Sequence, residues 1–149
     1  MKFSRSIEYA VHGLIFMAVS QPVGSVLLSD IARNTCIRAS YLRKVFQILT
    51  KAGLVTAQRG AGGGYSLARD PGGISLKDIV LAIEGDLPLY NCLKLDRNCG
   101  ISANCPVKRV FKHAQVEMFN VLDGKTIYDL AQELTVKGLE PQWIKTAVR

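Results

Sequence analysis

Three thiols are the residues of this chain best suited to chemistry. Cys92, Cys99 and Cys105 fall in one stretch, Cys-Leu-Lys-Leu-Asp-Arg-Asn-Cys-Gly-Ile-Ser-Ala-Asn-Cys, followed directly by Pro106. Soft thiolates gathered in a short loop can hold an iron–sulfur cluster or a zinc ion. The spacing is looser than the compact Cys-x-x-Cys of a zinc knuckle, so a flexible loop would have to bring the three ligands together. Lys94, Arg97 and Lys108 lie close in sequence and can offset the negative charge of bound thiolates. The fourth cysteine, Cys36, stands far from the loop and reads as a small buried filler.

A second set of residues offers hydrogen-bond donors. Ser40, Arg43, Lys44 and Gln47 recur at i, i+3, i+4 and i+7 and share one helical face, while Leu42, Val45, Phe46 and Leu49 share the other. A DNA recognition helix needs this division, with an inner face gripping the scaffold and an outer face meeting base edges and phosphates. Tyr41 belongs to the same expected contact set. Arg59 and Gly60 sit at the corner of a glycine-rich turn, where an arginine can enter a minor groove or touch the backbone.

The charge distribution agrees. The net charge is +7, but nine Lys/Arg against three acids lie up to Asp70, and ten against nine follow. A polycationic first half suggests a polyanionic partner.

These residues require elements to position them. Apolar positions at Ile7, Ala10, Val11, Leu14, Ile15 and Ala18 predict a helix with one buried face, broken at Gln21-Pro22-Val23-Gly24. Ser29 is expected to cap a short helix from Asp30 to Thr35, and Ser40 to cap a third helix from Tyr41 to Ala52 that Gly53 ends. Leu54–Arg59 and Tyr65–Leu67 read as two strands joined by the glycine run, giving a winged helix-turn-helix. A fourth helix follows, capped by Ser75 with Asp78 reaching back and stapled by Ile74 onto Ile79. Pro106 opens a long helix on which Val107, Phe111, Ala114, Met118 and Val121 form the seam of a paired helix. Val110, Phe119 and Leu122 form a second stripe, so one stripe should face another subunit. Thr126, with Asp129 three residues on, caps a last helix. Trp143 reads as a packing anchor for the tail. The expected fold is mainly α with a small β-hairpin, a winged helix-turn-helix plus a long C-terminal dimerisation helix. The expected divisions are 1–72 for DNA binding, 73–135 for the thiol loop and dimerisation helices, and 136–149 for a tail.

Ser40-Tyr41-Leu42, Gly53-Leu54-Val55, the stretch Arg59-Gly60-Ala61-Gly62-Gly63-Gly64-Tyr65-Ser66-Leu67-Ala68-Arg69, the opening Tyr9-Ala10-Val11 and the cysteine loop before a long helix resemble the IscR–NsrR–RirA family of bacterial iron–sulfur repressors. The resemblance spans about residues 1 to 135. It implies that Cys92, Cys99 and Cys105 ligate an iron–sulfur cluster, of four irons or two. It leaves the fourth ligand open. Where one branch has a histidine three residues after the third cysteine, this chain has Lys108, a poor ligand while protonated. Another branch uses an acidic residue on the first helix, matched by Glu8. A two-iron redox branch uses a glutamate and a histidine one turn apart, matched by Glu8 and His12, although its cysteine pattern is matched less well. Either ligand would come from the partner subunit.

The expected protein is thus a homodimeric transcription regulator, a repressor by resemblance. It should bind double-stranded DNA with a two-fold operator and respond to iron, nitric oxide or redox state through its cluster. A cluster-free regulator sensing by thiol oxidation or a small metabolite is the alternative. No Ser–His–Asp, Walker or paired-carboxylate pattern supports an enzyme. No apolar run reaches membrane-spanning length, and no secretory signal is evident, so a cytoplasmic location is expected, where cysteines seldom form structural disulfides.

Overall fold

The computed structural model describes residues 3–20, 24–60, 63–86, 88–94 and 104–138. The elements run α1 (Arg5–Ser20), α2 (Leu28–Thr35), α3 (Ala39–Lys51), β1 (Val55–Gln58), β2 (Gly64–Leu67), a 3-10 turn (Pro71–Gly73), α4 (Leu76–Glu84), α5 (Asn91–Lys94), α6 (Pro106–Asp123) and α7 (Ile127–Val136). Mainly helical with one antiparallel hairpin, this is the expected winged helix-turn-helix followed by a long helix. Cys99, Arg97, Trp143 and the tail beyond 138 lie outside the described residues.

The core forms around α1. Leu14, Ile31, Leu42, Phe46, Leu49, Ile74, Ile79 and Ile127 are fully buried, and they come from α1, α2, α3, α4, α7 and the turn before α4. The single buried face expected of α1 is corrected. Ile7 and Ala10 start such a face, but Gly13 to Met17 are buried continuously, because α2, α3, α4 and α7 all pack on this helix. Gly13 admits the Phe46 ring: a methyl group there would lie 2.9 Å from it.

Local signals set some helix starts and tertiary pairing sets others. Ser75 and Thr126 form the expected capping boxes with Asp78 and Asp129. Neither Ser29 nor Ser40 is a cap. Val26 pairs with Tyr65 through two 2.8 Å backbone hydrogen bonds, which adds a third extended segment to the hairpin and holds the chain extended up to Leu27. Leu27 is therefore the N-cap of α2, with no side-chain cap hydrogen bond, and Ser29 falls inside the first turn. Cys36 closes α2 in the left-handed region at φ 57°, and Ile37 turns into the core at 8% exposure. That leaves Arg38 as the N-cap of α3 and Ser40 within the helix. Cys36 itself is exposed, not a buried filler, because the left-handed turn points its neighbour Ile37 inward instead.

The end of α6 is tied to the winged-helix body. Ser75 Oγ donates to Asp123 at 3.2 Å, Lys77 pairs with Asp123 at 3.3 Å, and the Ile127 N–H donates to the Ile74 carbonyl at 2.9 Å. No residue of α6 is buried in the chain. Among the described residues, no helix is long and apolar enough to cross a membrane.

Candidate nucleic-acid interface and thiol loop

The outer face of α3 is built as its periodicity predicts. Ser40, Tyr41, Arg43, Lys44 and Gln47 are exposed, while Leu42, Val45, Phe46 and Leu49 are buried in the scaffold. The hairpin stands beside this face. Arg43, Gln47 and Lys51 from α3, with Arg59 and Gly60 from the hairpin, line one open groove of about 1050 Å³. Ser40, Tyr41 and Lys44 lie outside its lining, and the Tyr41 ring instead sits 6.5 Å from that of Tyr9 on α1. Among the described residues, no carboxylate lies within ion-pair distance of Arg43, Lys44, Lys51 or Arg59. Their charge is therefore available to an external anion such as phosphate.

Two glycines shape the hairpin. A side chain at Gly64 would collide with the Val26 carbonyl at 2.5 Å, and one at Gly63 with the Gln58 carbonyl at 2.6 Å. Only glycine lets the returning strand lie between β1 and the Val26 segment. Lys51 was not anticipated from the sequence. Its signal was there, because Lys51 continues the Lys44 and Gln47 stripe at i+7 and i+4.

The thiol loop is seen at its two ends. Cys92 lies on α5 and is half-buried; Cys105 is the N-cap of α6, also half-buried, with no side-chain cap hydrogen bond. A thiolate at this position faces the positive end of the helix dipole, with Lys108 one turn further on. These surroundings suit an anionic sulfur ligand. α5 is a single turn that the sequence did not announce. The segment before it is fastened to α6 by the Leu89 N–H donating to Gln115 Oε1 at 3.1 Å and by a near-parallel stack of Tyr90 on Phe111 at 4.5 Å and 12°.

Glu8 is exposed in the first turn of α1 and His12 is half-buried in the next. Among the described residues, no three His, Cys, Asp or Glu side chains converge on a possible metal position. Within one chain, Glu8 and His12 are thus not assembled with Cys92 and Cys105.

On α6 the anticipated seam is open. Val107, Val110 and Val121 are 48%, 64% and 71% exposed, and Met118 is half-buried beside them. Ala114 is exposed on the same side. Val110 belongs to this outer stripe rather than to the inner one with Phe119 and Leu122, which are half-buried towards the body. At 100° per residue, position 110 falls beside 114 and 121, not beside 119 and 122. Phe111 leans away from the seam onto Tyr90.

Comparison with known proteins agrees with this architecture. A family model, Rrf2, described as an iron-dependent transcriptional regulator, matches residues 3–133. The chain is 33% identical over 133 residues to the HTH-type transcriptional regulator NsrR of Bacillus subtilis, covering 89% of this chain and 91% of the relative. It is 35% identical over 145 residues to IscR of Klebsiella pneumoniae, covering 95% and 88%. Among solved structures it resembles T. potens IscR, with a TM-score of 0.70 and 31% identity over 89% of this chain and 88% of that one. It also resembles CymR, the global cysteine regulator of B. subtilis, with a TM-score of 0.69 and 28% identity over 89% and 98%. These relatives are regulators, not enzymes, and the chain belongs to the Rrf2 family of transcriptional regulators.

Proposed function

We propose that this regulator grips a two-fold DNA operator as a homodimer, through α3 and the hairpin, and that an iron–sulfur cluster held by Cys92, Cys99 and Cys105 sets its affinity. The observation that carries the sensor half is Cys105. It heads the 18-residue α6 without a side-chain cap hydrogen bond, Lys108 follows three residues later, and Cys92 is on an element fastened to that same helix. Soft thiolates in a cationic setting suit iron, and the family description, an iron-dependent transcriptional regulator, points the same way. Glu8 or His12 from the second copy completes the donor set in this reading.

When bound, the cluster supplies a centre labile to oxidants, nitric oxide or iron loss. The chain's own residues do the rest. Cys92 on α5 and Cys105 at the head of α6 would hold the cluster together with Cys99. Arg43, Lys44 and Gln47 meet base edges and phosphates, and Arg59 holds the flanking backbone. The distance between the two recognition helices follows the α6 pairing. A shift there mismatches successive half-sites and removes many specific contacts at once. The resemblance of the sequence motifs to the IscR–NsrR–RirA repressors favours repression by the cluster-bound form.

A second reading, in which the thiols sense oxidation without iron, is favoured by exposed Cys36 and by the likeness to a solved oxidised form of Staphylococcus aureus CymR, 28% identical with a TM-score of 0.68. One experiment separates the two. Protein purified without oxygen is expected to be coloured and to contain iron and sulfide, and Cys99→Ala to lose both. Colourless wild-type protein that binds operator and releases it on thiol oxidation would establish the second reading.

A further inference from the structure

We propose that the Tyr90–Phe111 stack and the hydrogen bond from the Leu89 N–H to Gln115 Oε1 form a latch that sets the approach of Cys92 to Cys105 and couples the thiol loop to α6. As a coupling device it rests on the sensor reading above; as a clamp between two thiols it does not.

α5 has only four residues, Asn91–Lys94. A single helical turn does not persist alone, because nucleation costs more than one turn returns. Its position must come from its neighbours, and α6 is the helix against which it packs. The attachment has two parts. The ring of Tyr90 lies 4.5 Å from that of Phe111 and 12° from parallel. One residue earlier, the Leu89 N–H meets Gln115 Oε1 at 3.1 Å in a half-buried site. Phe111 and Gln115 are one turn apart on α6, so the two contacts fix both position and direction of the strand of chain leading to Cys92. Cys105 heads the same helix. The latch therefore holds the carriers of both thiols to one rigid rod.

The aromatic plane and the amide acceptor are the parts that act. Leucine at position 90 keeps apolar bulk but loses the stack, and leucine at 115 keeps bulk but loses the acceptor. Freed of both, Cys92 samples a larger volume and its effective concentration at Cys105 falls.

The test uses the full chain with Cys36 and Cys99 replaced by serine, so that the bifunctional thiol reagent dibromobimane can join only Cys92 to Cys105. The double variant Tyr90→Leu, Gln115→Leu is expected to slow joining by about tenfold. Gln115→Glu keeps the acceptor and is expected to join at the parent rate; Tyr90→Phe keeps the ring and is expected to join faster than the double leucine variant. An unchanged rate in the double variant overturns the latch. Should that variant fail to fold, Gln115→Leu alone carries the test, with about threefold slowing expected and an unchanged rate again overturning it.

A second measurement uses anaerobically iron-loaded protein with all its cysteines and follows loss of visible absorption under a chelator. The double leucine variant is expected to lose it about tenfold faster than the parent. If the parent takes up no iron, the sensor reading falls and the cross-linking rates still decide the latch. If the parent loads, and the variant matches it in both joining rate and cluster lifetime, the latch alone falls.

Discussion

Arg43 and Lys51 sit two turns apart on the exposed side of α3, and Arg59 faces them across the groove from the hairpin. Among the described residues none has a carboxylate partner, so removing one leaves no buried charge behind. Its loss should therefore report on DNA directly. Arg43→Ala is expected to weaken specific binding by about 1–3 kcal/mol and to relax preference at one base position. Lys51→Ala is expected to weaken all sequences alike and to lower the salt slope of binding by about one. Titrations of an operator and a scrambled duplex at several salt concentrations check both. An Arg43→Ala protein that discriminates as well as the parent would move base reading elsewhere on α3.

At the scale of elements, α7 shows how surface chemistry fastens a helix to the core. Its capping box joins Thr126 and Asp129, and Glu133 holds Lys125 at 2.9 Å and Lys137 at 3.5 Å. Hydrogen bonds from the Thr126 backbone N–H and hydroxyl hold the Asp129 carboxyl below its ordinary range, and the hydrogen bond from Lys125 does the same for Glu133. The same bond to Glu133 raises Lys125. A depressed carboxylate contributes stability above its unfolded pKa and loses that contribution as pH falls through the lower folded value. α7 should thus loosen from α1 as pH falls through and below about 4, where protonated Glu133 also releases Lys125; the same pair is lost at the other extreme only in strong alkali, where Lys125 loses its charge. Amide exchange of α7 against pH checks the order of loss. Thr126→Ala, expected to cost about 1 kcal/mol at neutral pH, should weaken that acid response without abolishing it, because the backbone N–H at 126 still donates to Asp129.

The same elements explain what the sequence made legible. Capping boxes at Ser75 and Thr126 are local devices, written in residues three apart, and both were readable. The starts of α2 and α3 were not, because the pairing of Val26 with Tyr65 and the burial of Ile37 decide them from a distance. α5 is too short for periodicity to register. The exposed polar face of α3 was legible from spacing alone. The grouping of Lys51 with Arg59 needed the hairpin in place. The role of Glu8 and His12 is harder still, since any joint site with the thiols would span two copies of the chain.

For the whole molecule, α6 is the element that joins the C-terminal end of the thiol loop to the winged-helix body. Its head carries Cys105 and its foot holds Ser75 and Lys77 through Asp123, at the start of α4. Between them runs the exposed stripe of Val107, Val110, Ala114 and Val121, which no described residue buries. In the homodimer proposed above, a second copy of the same stripe would bury it about a two-fold axis. Val110→Asp tests this pairing cleanly, because the side chain is 64% exposed and its change leaves the fold of the single chain intact. A carboxylate in an apolar seam lacks a partner and opposes its own symmetry mate. The variant is expected to sediment as a folded monomer with unchanged circular dichroism. It should bind a two-fold operator at least about a hundredfold more weakly, since each half-site then binds alone. Its affinity for an isolated half-site should match that of the parent. A variant that remains dimeric at micromolar concentration would place the contact between copies on another face, and with it the route from the thiols to the DNA.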